Sequence, residues 1–239
     1  MNILITGGAS GLGEAITKRL AFDQGNNVFF SYNKSVENAK ALEASFSNVK
    51  ALKCDFSVPS DIEILCGRMQ ELNLQILVNN AMTGFEQDYF HKLKPDYFID
   101  SFQKNIFPAI RITQTALIHF RKNKFGKIIT ILSAALINKP PIGWSEYAAS
   151  KSYLLSLSKS WAAENAGFNI SSNSISPSFM QTSLTDNTDE RIVSEMISKH
   201  PLKALLKVEE VAEAIAFFVS ASQQINGANL ILNAAQNVV

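Results

Sequence analysis

The sequence has few cysteines and no strong excess of either charge. Its two cysteines, Cys54 and Cys66, form neither a metal-type CxxC pair nor the framework of a secreted disulfide protein, which favours reduced thiols, a cytoplasmic location and no metal site. Lys and Arg number 22 against 21 Asp and Glu, for a formal net charge of +1. This balance gives no broad field for holding nucleic acid or anionic lipid, so we expect neither as a partner.

Long hydrophobic runs are also absent. The richest apolar stretch, Ile215–Val219, is short and flanked by Glu213 and Ser220, whereas a bilayer-spanning helix needs roughly 20 apolar residues. The apolar run Ile3–Ile5 stops at Thr6 and gives way to glycines, so we expect a strand there and not a secretory leader. The sequence therefore predicts no membrane span.

Length and composition favour one α/β domain over residues 1–239. With 46% hydrophobic residues, including 16 Phe, the chain can bury a sizeable core,. No repeat, low-complexity tract or Pro/Gly/Ser-rich linker divides it. The weakly patterned stretch at about 178–206, just after Pro177, is predicted to act as a substrate lid.

Short β-branched runs alternate with longer stretches of helical periodicity. The predicted strands are Asn2–Thr6, Val28–Ser31, Val49–Lys53, Ile76–Val78, Lys127–Leu132, Asn169–Ser176 and Asn229–Leu232. The predicted helices are Gly13–Asp23, Val36–Phe46, Ser60–Glu71, Tyr97–Lys122, Glu146–Asn165 and Val208–Ala221. This alternation predicts a single doubly wound Rossmann domain, with a parallel sheet of about seven strands flanked by helices.

A glycine-rich turn follows the first strand directly. It reads Thr6-Gly7-Gly8-Ala9-Ser10-Gly11-Leu12-Gly13 and opens a helix. Gly7 permits a tight turn, Gly11 lets the backbone approach a pyrophosphate, and Gly13 lets helix and strand pack closely. The N–H groups at the helix start favour a phosphate, so Ser10 and Leu12 join these glycines as candidate contacts. The alternative is a glycine-rich loop that binds nothing.

The spacing TGxxxGxG at the start of the chain resembles the cofactor motif of the short-chain dehydrogenase/reductase family. In nicotinamide-binding sheets, an acid at the end of the second strand bonds the ribose of NAD and would repel a 2′-phosphate. Here Asn33, Lys34 and Ser35 follow that strand, with no acid before Glu37. They offer a positive charge and hydrogen-bond donors, which predicts NADP(H) in preference to NAD(H). Alternatively, Lys34 lies on a solvated loop.

The resemblance continues along the chain and implies further cofactor contacts. Asp55, with Phe56 beside it, is similar to the family aspartate that holds adenine. Asn79-Asn80-Ala81 resembles the start of the family's NNAG element and implies that Asn79 and Ala81 line the cofactor site. Met82 stands where the family has glycine, which removes a residue free to adopt positive φ.

The pair Tyr147 and Lys151 gives the strongest chemical signal. Four residues apart on a helix, the two side chains share one face, so the lysine is expected to lower the pKa of the phenol. Taken alone, this spacing is typical of an amphipathic helix with a solvated lysine. Ser133, fourteen residues earlier at the end of the fifth strand, adds a hydroxyl that can hold a substrate carbonyl.

Asn105 is similar to the helical asparagine that completes the family's Asn-Ser-Tyr-Lys tetrad. The resemblance implies that it holds a water connecting Lys151 to solvent. It also implies that Ile175 and Pro177 border the nicotinamide ring and that Thr182 lies near its carboxamide or the diphosphate. Ser178 replaces the glycine that usually follows Pro177 in the family, and Asn233-Ala234-Ala235 replaces a DGG-like ending.

These residues together predict an NADP(H)-dependent oxidoreductase that transfers a hydride between nicotinamide and a carbonyl or secondary alcohol, with Tyr147 as the acid or base. Pro201-Leu202 before Val208 resembles the corresponding segment of 3-oxoacyl-carrier-protein reductases. An NAD-linked alcohol or sugar dehydrogenase is one alternative, and a non-catalytic dinucleotide-binding sensor or scaffold is another. The helices at Tyr97–Lys122 and Glu146–Asn165 resemble those that pair between family subunits, which implies a homotetramer or homodimer.

Overall fold

Seven strands form one sheet in the computed structural model, which describes residues 1–137, 139–182, 185 and 188–238. The strands are β1 (Asn2–Ile5), β2 (Asn27–Tyr32), β3 (Val49–Lys53), β4 (Ile76–Asn79), β5 (Gly126–Ile131), β6 (Ile170–Pro177) and β7 (Asn229–Leu232). Their order in the sheet is β3-β2-β1-β4-β5-β6-β7, and every neighbouring pair is parallel. The predicted doubly wound parallel sheet is confirmed.

Helices cover both faces of this sheet. They are α1 (Gly11–Ala21), α2 (Val36–Ser45), α3 (Pro59–Glu71), α4 (Pro95–Ser101), α5 (Phe107–Asn123), α6 (Ser145–Asn165), α7 (Glu190–Lys199) and α8 (Val208–Ser220). Buried side chains of α1, α2 and α8 form one core, and those of α3, α5 and α6 form another. Because the central strands are covered on both faces, β4 and β5 are buried along their whole length,.

The helix predicted at Tyr97–Lys122 is three consecutive segments in the structure. Between α4 and α5 lies a π-helical segment, Phe102–Ile106, in which the N–H of Phe107 donates to the carbonyl of Phe102. Pro108 has no N–H for the carbonyl one α-helical turn earlier, and its ring crowds that carbonyl. A wider turn just before Pro108 relieves this conflict.

Helix α7 was not predicted and lies within the stretch proposed as a lid. Asp189 caps it by accepting a hydrogen bond from the N–H of Arg191 at 2.8 Å. No residue of α7 is fully buried, but Val193, Met196 and Ile197 are half-buried along one face of it,. Residues 183, 184, 186 and 187 of the proposed lid lie outside the described residues.

The described part of the chain holds neither a candidate membrane-spanning helix nor a cluster of metal ligands. None of its helices combines the length and apolar character that crossing a membrane requires. Over the same residues, no group of three or more His, Cys, Asp or Glu side chains is placed to hold a metal ion.

Candidate active site

The carboxyl ends of the strands open into one large cavity of about 1100 Å³. Parallel strands bring the loops that follow them to the same edge of the sheet. Apart from Asn79 and Ile175, the predicted site residues line this cavity: Gly7, Ser10, Gly11, Leu12, Gly13, Asn33, Lys34, Ser35, Asp55, Phe56, Ala81, Asn105, Ser133, Tyr147, Lys151, Pro177 and Thr182. Ile175, which the resemblance placed beside the nicotinamide ring, lies fully buried in the core instead.

The side chain of Asn79 does not line the cavity, and its neighbour Asn80 takes the place expected for it. The Asn79 side chain is buried on the other face of the sheet, where its amide donates to the hydroxyl of Thr113 at 2.9 Å. Successive side chains on a strand face opposite ways, so Asn80 points to the glycine-rich turn. Its amide donates to the carbonyls of Thr6 at 2.9 Å and Gly7 at 3.1 Å. Asn80 therefore holds the turn, while Asn79 ties β4 to α5.

The glycine-rich turn has the geometry of a phosphate cradle. Gly7 has a φ of 67°, in the left-handed region that favours glycine,. A Cβ atom on Gly13 would lie 1.9 Å from the carbonyl oxygen of Gly7, so only glycine fits at this position. The turn thus packs tightly against the first turn of α1, whose N–H groups and partial positive charge open onto the cavity.

The ends of β2 and β3 place a cation and a carboxylate side by side at one end of the cavity. Asp55 accepts hydrogen bonds from the Ser57 hydroxyl at 2.6 Å and the Ser57 N–H at 2.8 Å. These bonds lower the pKa of Asp55, and Asn33 and Lys34 lower it further. Lys34 therefore lies close enough to Asp55 to interact with it electrostatically.

Tyr147, Lys151 and Ser133 meet at the centre of the cavity. The ammonium of Lys151 lies 5.9 Å from the centre of the Tyr147 ring and donates to the carbonyl of Ile131 at 2.8 Å. Burial lowers the pKa of Lys151 to about 8. Burial raises the pKa of Tyr147, and hydrogen bonding from Ser133 acts in the opposite direction. The expected lowering of this phenol's pKa by Lys151 is therefore not found in the structure, because desolvation dominates.

Asn105 lies in the π-helical segment, with its side chain fully engaged. Its carbonyl oxygen accepts from the N–H of Thr83 at 2.8 Å and from the Thr83 hydroxyl at 2.9 Å. Its amide donates to the hydroxyl of Ser101 at 3.1 Å. The side chain thus bonds neither to Tyr147 nor to Lys151, and instead joins the loop after β4 to the end of α4.

An aromatic wall, formed by Phe85 and Trp144, surrounds Tyr147. The ring centres of Phe85 and Tyr147 are 4.5 Å apart, and those of Trp144 and Tyr147 are 5.4 Å apart. Phe85 and Trp144 also pack edge to face at 4.9 Å. These contacts desolvate the phenol ring and make this side of the cavity apolar.

Comparisons with known proteins agree with this geometry. The family model described as short chain dehydrogenase matches residues 1–192. A 3-oxoacyl-[acyl-carrier-protein] reductase of Thermotoga maritima is 30% identical over 224 residues, which cover 91% of this chain and 89% of that protein.

Two solved structures superpose on almost the whole chain. A short chain dehydrogenase of Burkholderia cenocepacia J2315 in complex with NADP has a TM-score of 0.86 and 28% identity, covering 99% of this chain and 97% of its own. A 3-ketoacyl-(acyl-carrier-protein) reductase of Brucella melitensis complexed with NADH has a TM-score of 0.88 and 25% identity, covering 99% and 98%.

We predict that Gly13→Ala weakens NADPH binding more than about tenfold, because the new methyl group must push the turn away from α1 and misplace its N–H groups. Titration of the folded variant with NADPH measures the effect. Gly67 in α3 is the matched control, since a Cβ there meets no atom within 4 Å. Gly67→Ala should keep the affinity and raise the free energy of unfolding by about 0.5–1 kcal/mol. Unchanged NADPH affinity in Gly13→Ala would contradict the cradle.

We also predict a pH dependence of stability that arises from Lys151. Its pKa is about 8 in the folded protein, against roughly 10.4 for an unfolded lysine. Between these values the unfolded chain binds more protons, so the free energy of unfolding contributed by Lys151 rises with pH and is flat below about pH 8. Urea denaturation from pH 7 to pH 10 tests this against Lys151→Met, which should lack the rise. Parallel curves for the two proteins would refute the prediction.

Proposed function

The chain belongs to the short chain dehydrogenase family, and from that premise we propose that it reduces a ketone with NADPH, with Tyr147 as the proton donor. As a member it is an NAD(P)-dependent oxidoreductase that acts on carbonyl or alcohol groups. The single observation that carries the proposal is the meeting of Ser133, Tyr147 and Lys151 in a cavity that the phosphate-binding turn also lines.

The residues present fit a dinucleotide. The cavity extends from Lys34 and Asp55, past the glycine-rich turn, to Tyr147 and Thr182, and Gly13 keeps open the close approach that a pyrophosphate needs,. Adenine would lie by Asp55 and Phe56, the diphosphate on the turn, and the nicotinamide end near Lys151, Pro177 and Thr182. When bound, the cofactor supplies the hydride.

The protein's own groups account for the proton and for the orientation of the substrate. Burial raises the pKa of Tyr147, so the phenol keeps its proton at neutral pH and can donate it to a developing alkoxide. Ser133 faces the same side of the cavity, where its hydroxyl can hold the substrate oxygen together with Tyr147. Lys151 retains a pKa of about 8, so at neutral pH it is mostly an ammonium that can also bond a ribose.

A preference for NADP(H) rests on Lys34. Lys34, Asn33 and Ser35 line the end of the cavity, where a 2′-phosphate would gain a charge-assisted hydrogen bond. Asp55 is the carboxylate that opposes this preference. Because similar folds have been solved with NADP and with NADH, the local residues and not the fold must decide between the two.

The apolar lining of the cavity and the relatives both favour a 3-oxoacyl thioester as the substrate. Phe85 and Trp144 enclose Tyr147, and Ile137, Phe179 and Leu205 also line the cavity. An acyl chain beside the reacting ketone would bury its methylene groups against this surface. The similar proteins of Thermotoga maritima and Brucella melitensis are reductases of carrier-bound 3-oxoacyl groups.

We propose that the protein works in the cytoplasm as a homotetramer or homodimer. Both cysteines are free and buried, which suits a reducing compartment. Helices α5 and α6 expose Phe107, Ile118 and Tyr153, and an apolar surface of this kind favours association of copies. Size-exclusion chromatography with light scattering tests the assembly.

Tyr147→Phe should lower kcat for a 3-oxoacyl thioester by about a hundredfold or more, because it removes the proton donor and little else. Loss of NADPH absorbance measures the rate. Tyr153→Phe, an exposed tyrosine on the same helix, is the control and should keep full activity. Turnover of Tyr147→Phe within about tenfold of the wild type would refute the assignment.

Lys34→Ala should raise the Kd for NADPH by about tenfold and leave the Kd for NADH nearly unchanged, because only NADPH carries the phosphate that this lysine contacts. Fluorescence titration with each cofactor gives both constants. Lys40→Ala in α2 removes an equal charge from an exposed ion pair with Glu37 and should change neither. Equal losses for NADPH and NADH would show that Lys34 does not select the cofactor.

A further inference from the structure

A buried carboxyl group lies directly beside Tyr147 and has no part in the reaction proposed above. Glu146 is only 3% exposed, in the first turn of α6. Burying a carboxyl group is costly unless hydrogen bonds compensate, so a glutamate in such a place needs specific partners. Its hydrogen-bond partners connect it to Asn105, another predicted residue of the active site.

A continuous chain of hydrogen bonds runs from Glu146 to the loop after β4. The Ser101 hydroxyl donates to Oε1 of Glu146 at 2.6 Å, and the Asn105 amide donates to the same Ser101 hydroxyl at 3.1 Å. The carbonyl oxygen of Asn105 in turn accepts from the N–H and hydroxyl of Thr83. Glu146, Ser101 and Asn105 are all buried, so water does not compete for these bonds.

The Glu146 carboxyl group determines which group donates in each of these hydrogen bonds. Because Oε1 of Glu146 accepts, the single proton of the Ser101 hydroxyl is committed to it, and the serine oxygen is left to accept from Asn105. Together with the N–H of Thr83, which can only donate, this fixes the Asn105 side chain with its NH₂ group toward Ser101 and its oxygen toward Thr83. Without Glu146, the serine proton could turn toward the amide, and Asn105 would be held from the Thr83 side alone.

These hydrogen bonds also join three segments that border the cavity. Asn105 lies in the π-helical segment, Thr83 lies in the loop after β4, and Glu146 precedes Tyr147 in α6. A π-helical turn has weaker backbone bonding than an α-helix and depends on its surroundings to persist. A buried polar network of this kind can hold it in one arrangement.

We propose that Glu146 is a positioning residue, which acts through Ser101 to fix Asn105 and Thr83 against the helix that carries Tyr147. This role rests on the proposed reductase function, since it assigns Glu146 to the geometry of that same site. Glu146 itself touches neither substrate nor cofactor in this role, and its effect reaches the reaction only through Asn105 and Thr83.

The chain offers a matched pair of serines for the test. Ser150 donates to the same oxygen of Glu146 at 2.5 Å but leads to no other residue of the site. Ser101→Ala should lower kcat for a 3-oxoacyl thioester by about tenfold, as expected for the loss of one buried positioning hydrogen bond. The Kd for NADPH should stay within about twofold, because this network does not touch the cofactor residues. Ser150→Ala should leave kcat unchanged.

Two substitutions of Glu146 itself test whether a hydrogen-bond acceptor at this position restores kcat. Glu146→Ala removes the acceptor and should lower kcat at least as much as Ser101→Ala. Glu146→Gln keeps an oxygen that can accept from Ser101, so it should recover most of the lost kcat. If Glu146→Ala does not fold, the comparison of the two serine variants still decides the question.

The outcomes separate the positioning role from the reductase function. Equal falls in kcat for Ser101→Ala and Ser150→Ala, in proportion to lost stability, would overturn the proposal and leave Glu146 as a structural residue. If the wild type binds NADPH but reduces no ketone, the reductase function fails. Crystal structures of the two serine variants then test the positioning role alone: rotation of the Asn105 amide only in Ser101→Ala supports it, and an unmoved Asn105 in both refutes it.

Discussion

The hydrogen bond from Lys151 to the carbonyl of Ile131 is the interaction on which the site depends. At 2.8 Å, it fastens a buried ammonium on α6 to the last residue of β5. Tyr147 lies one helical turn before Lys151, and Ser133 lies two residues beyond Ile131, so this single contact sets the distance between the phenol and the serine. Because the ammonium is buried, losing its partner would cost far more than losing an exposed pair.

A second polar contact fixes the same helix further along. The Ser158 hydroxyl of α6 lies 3.0 Å from the hydroxyls of both Ser172 and Ser174 on β6. Strand β6 is buried along its length although five of its eight residues are polar, and its small serines let α6 approach the sheet closely. Lys151 and Ser158 thus hold α6 at two points, and the rigidity of Tyr147 follows from buried polar bonds as much as from apolar packing.

Much of this arrangement could be predicted from the sequence because it depends on local patterns. The order of strands and helices follows from hydrophobic periodicity, and the turn at Gly7 and Gly13 follows from steric limits on the backbone. Asn79 was assigned to the cofactor site by resemblance, and the sequence could not correct this: β4 is buried on both faces, so its residues do not alternate between apolar and polar and do not show which face Asn79 occupies. The break at Phe102–Ile106 was missed because Pro108 can also be read as a residue inside one kinked helix.

Glu146 was not singled out by sequence reasoning either, since a polar residue at the start of an amphipathic helix normally faces water. Only the packing of α4 against α6 shows that it is buried and shared by two serines. Contacts between elements distant in the chain have no local signature. The sequence spacing likewise predicts that Lys151 lies near Tyr147. It does not show that the ring is buried and that burial raises the pKa of the phenol.

The surroundings of Tyr147 also determine its ionisation state in the polypeptide alone. With burial raising the pKa of Tyr147 and Lys151 committed to the carbonyl of Ile131, the protein alone holds its phenol in the protonated form. A proton donor is what carbonyl reduction requires, whereas alcohol oxidation requires a phenolate that this environment disfavours. Ionisation of Tyr147 would need further positive charge beside the ring or a shift of Lys151 toward it. Desolvation by the aromatic wall therefore keeps the phenol a proton donor in the polypeptide alone, and any positive charge brought beside the ring acts against it,.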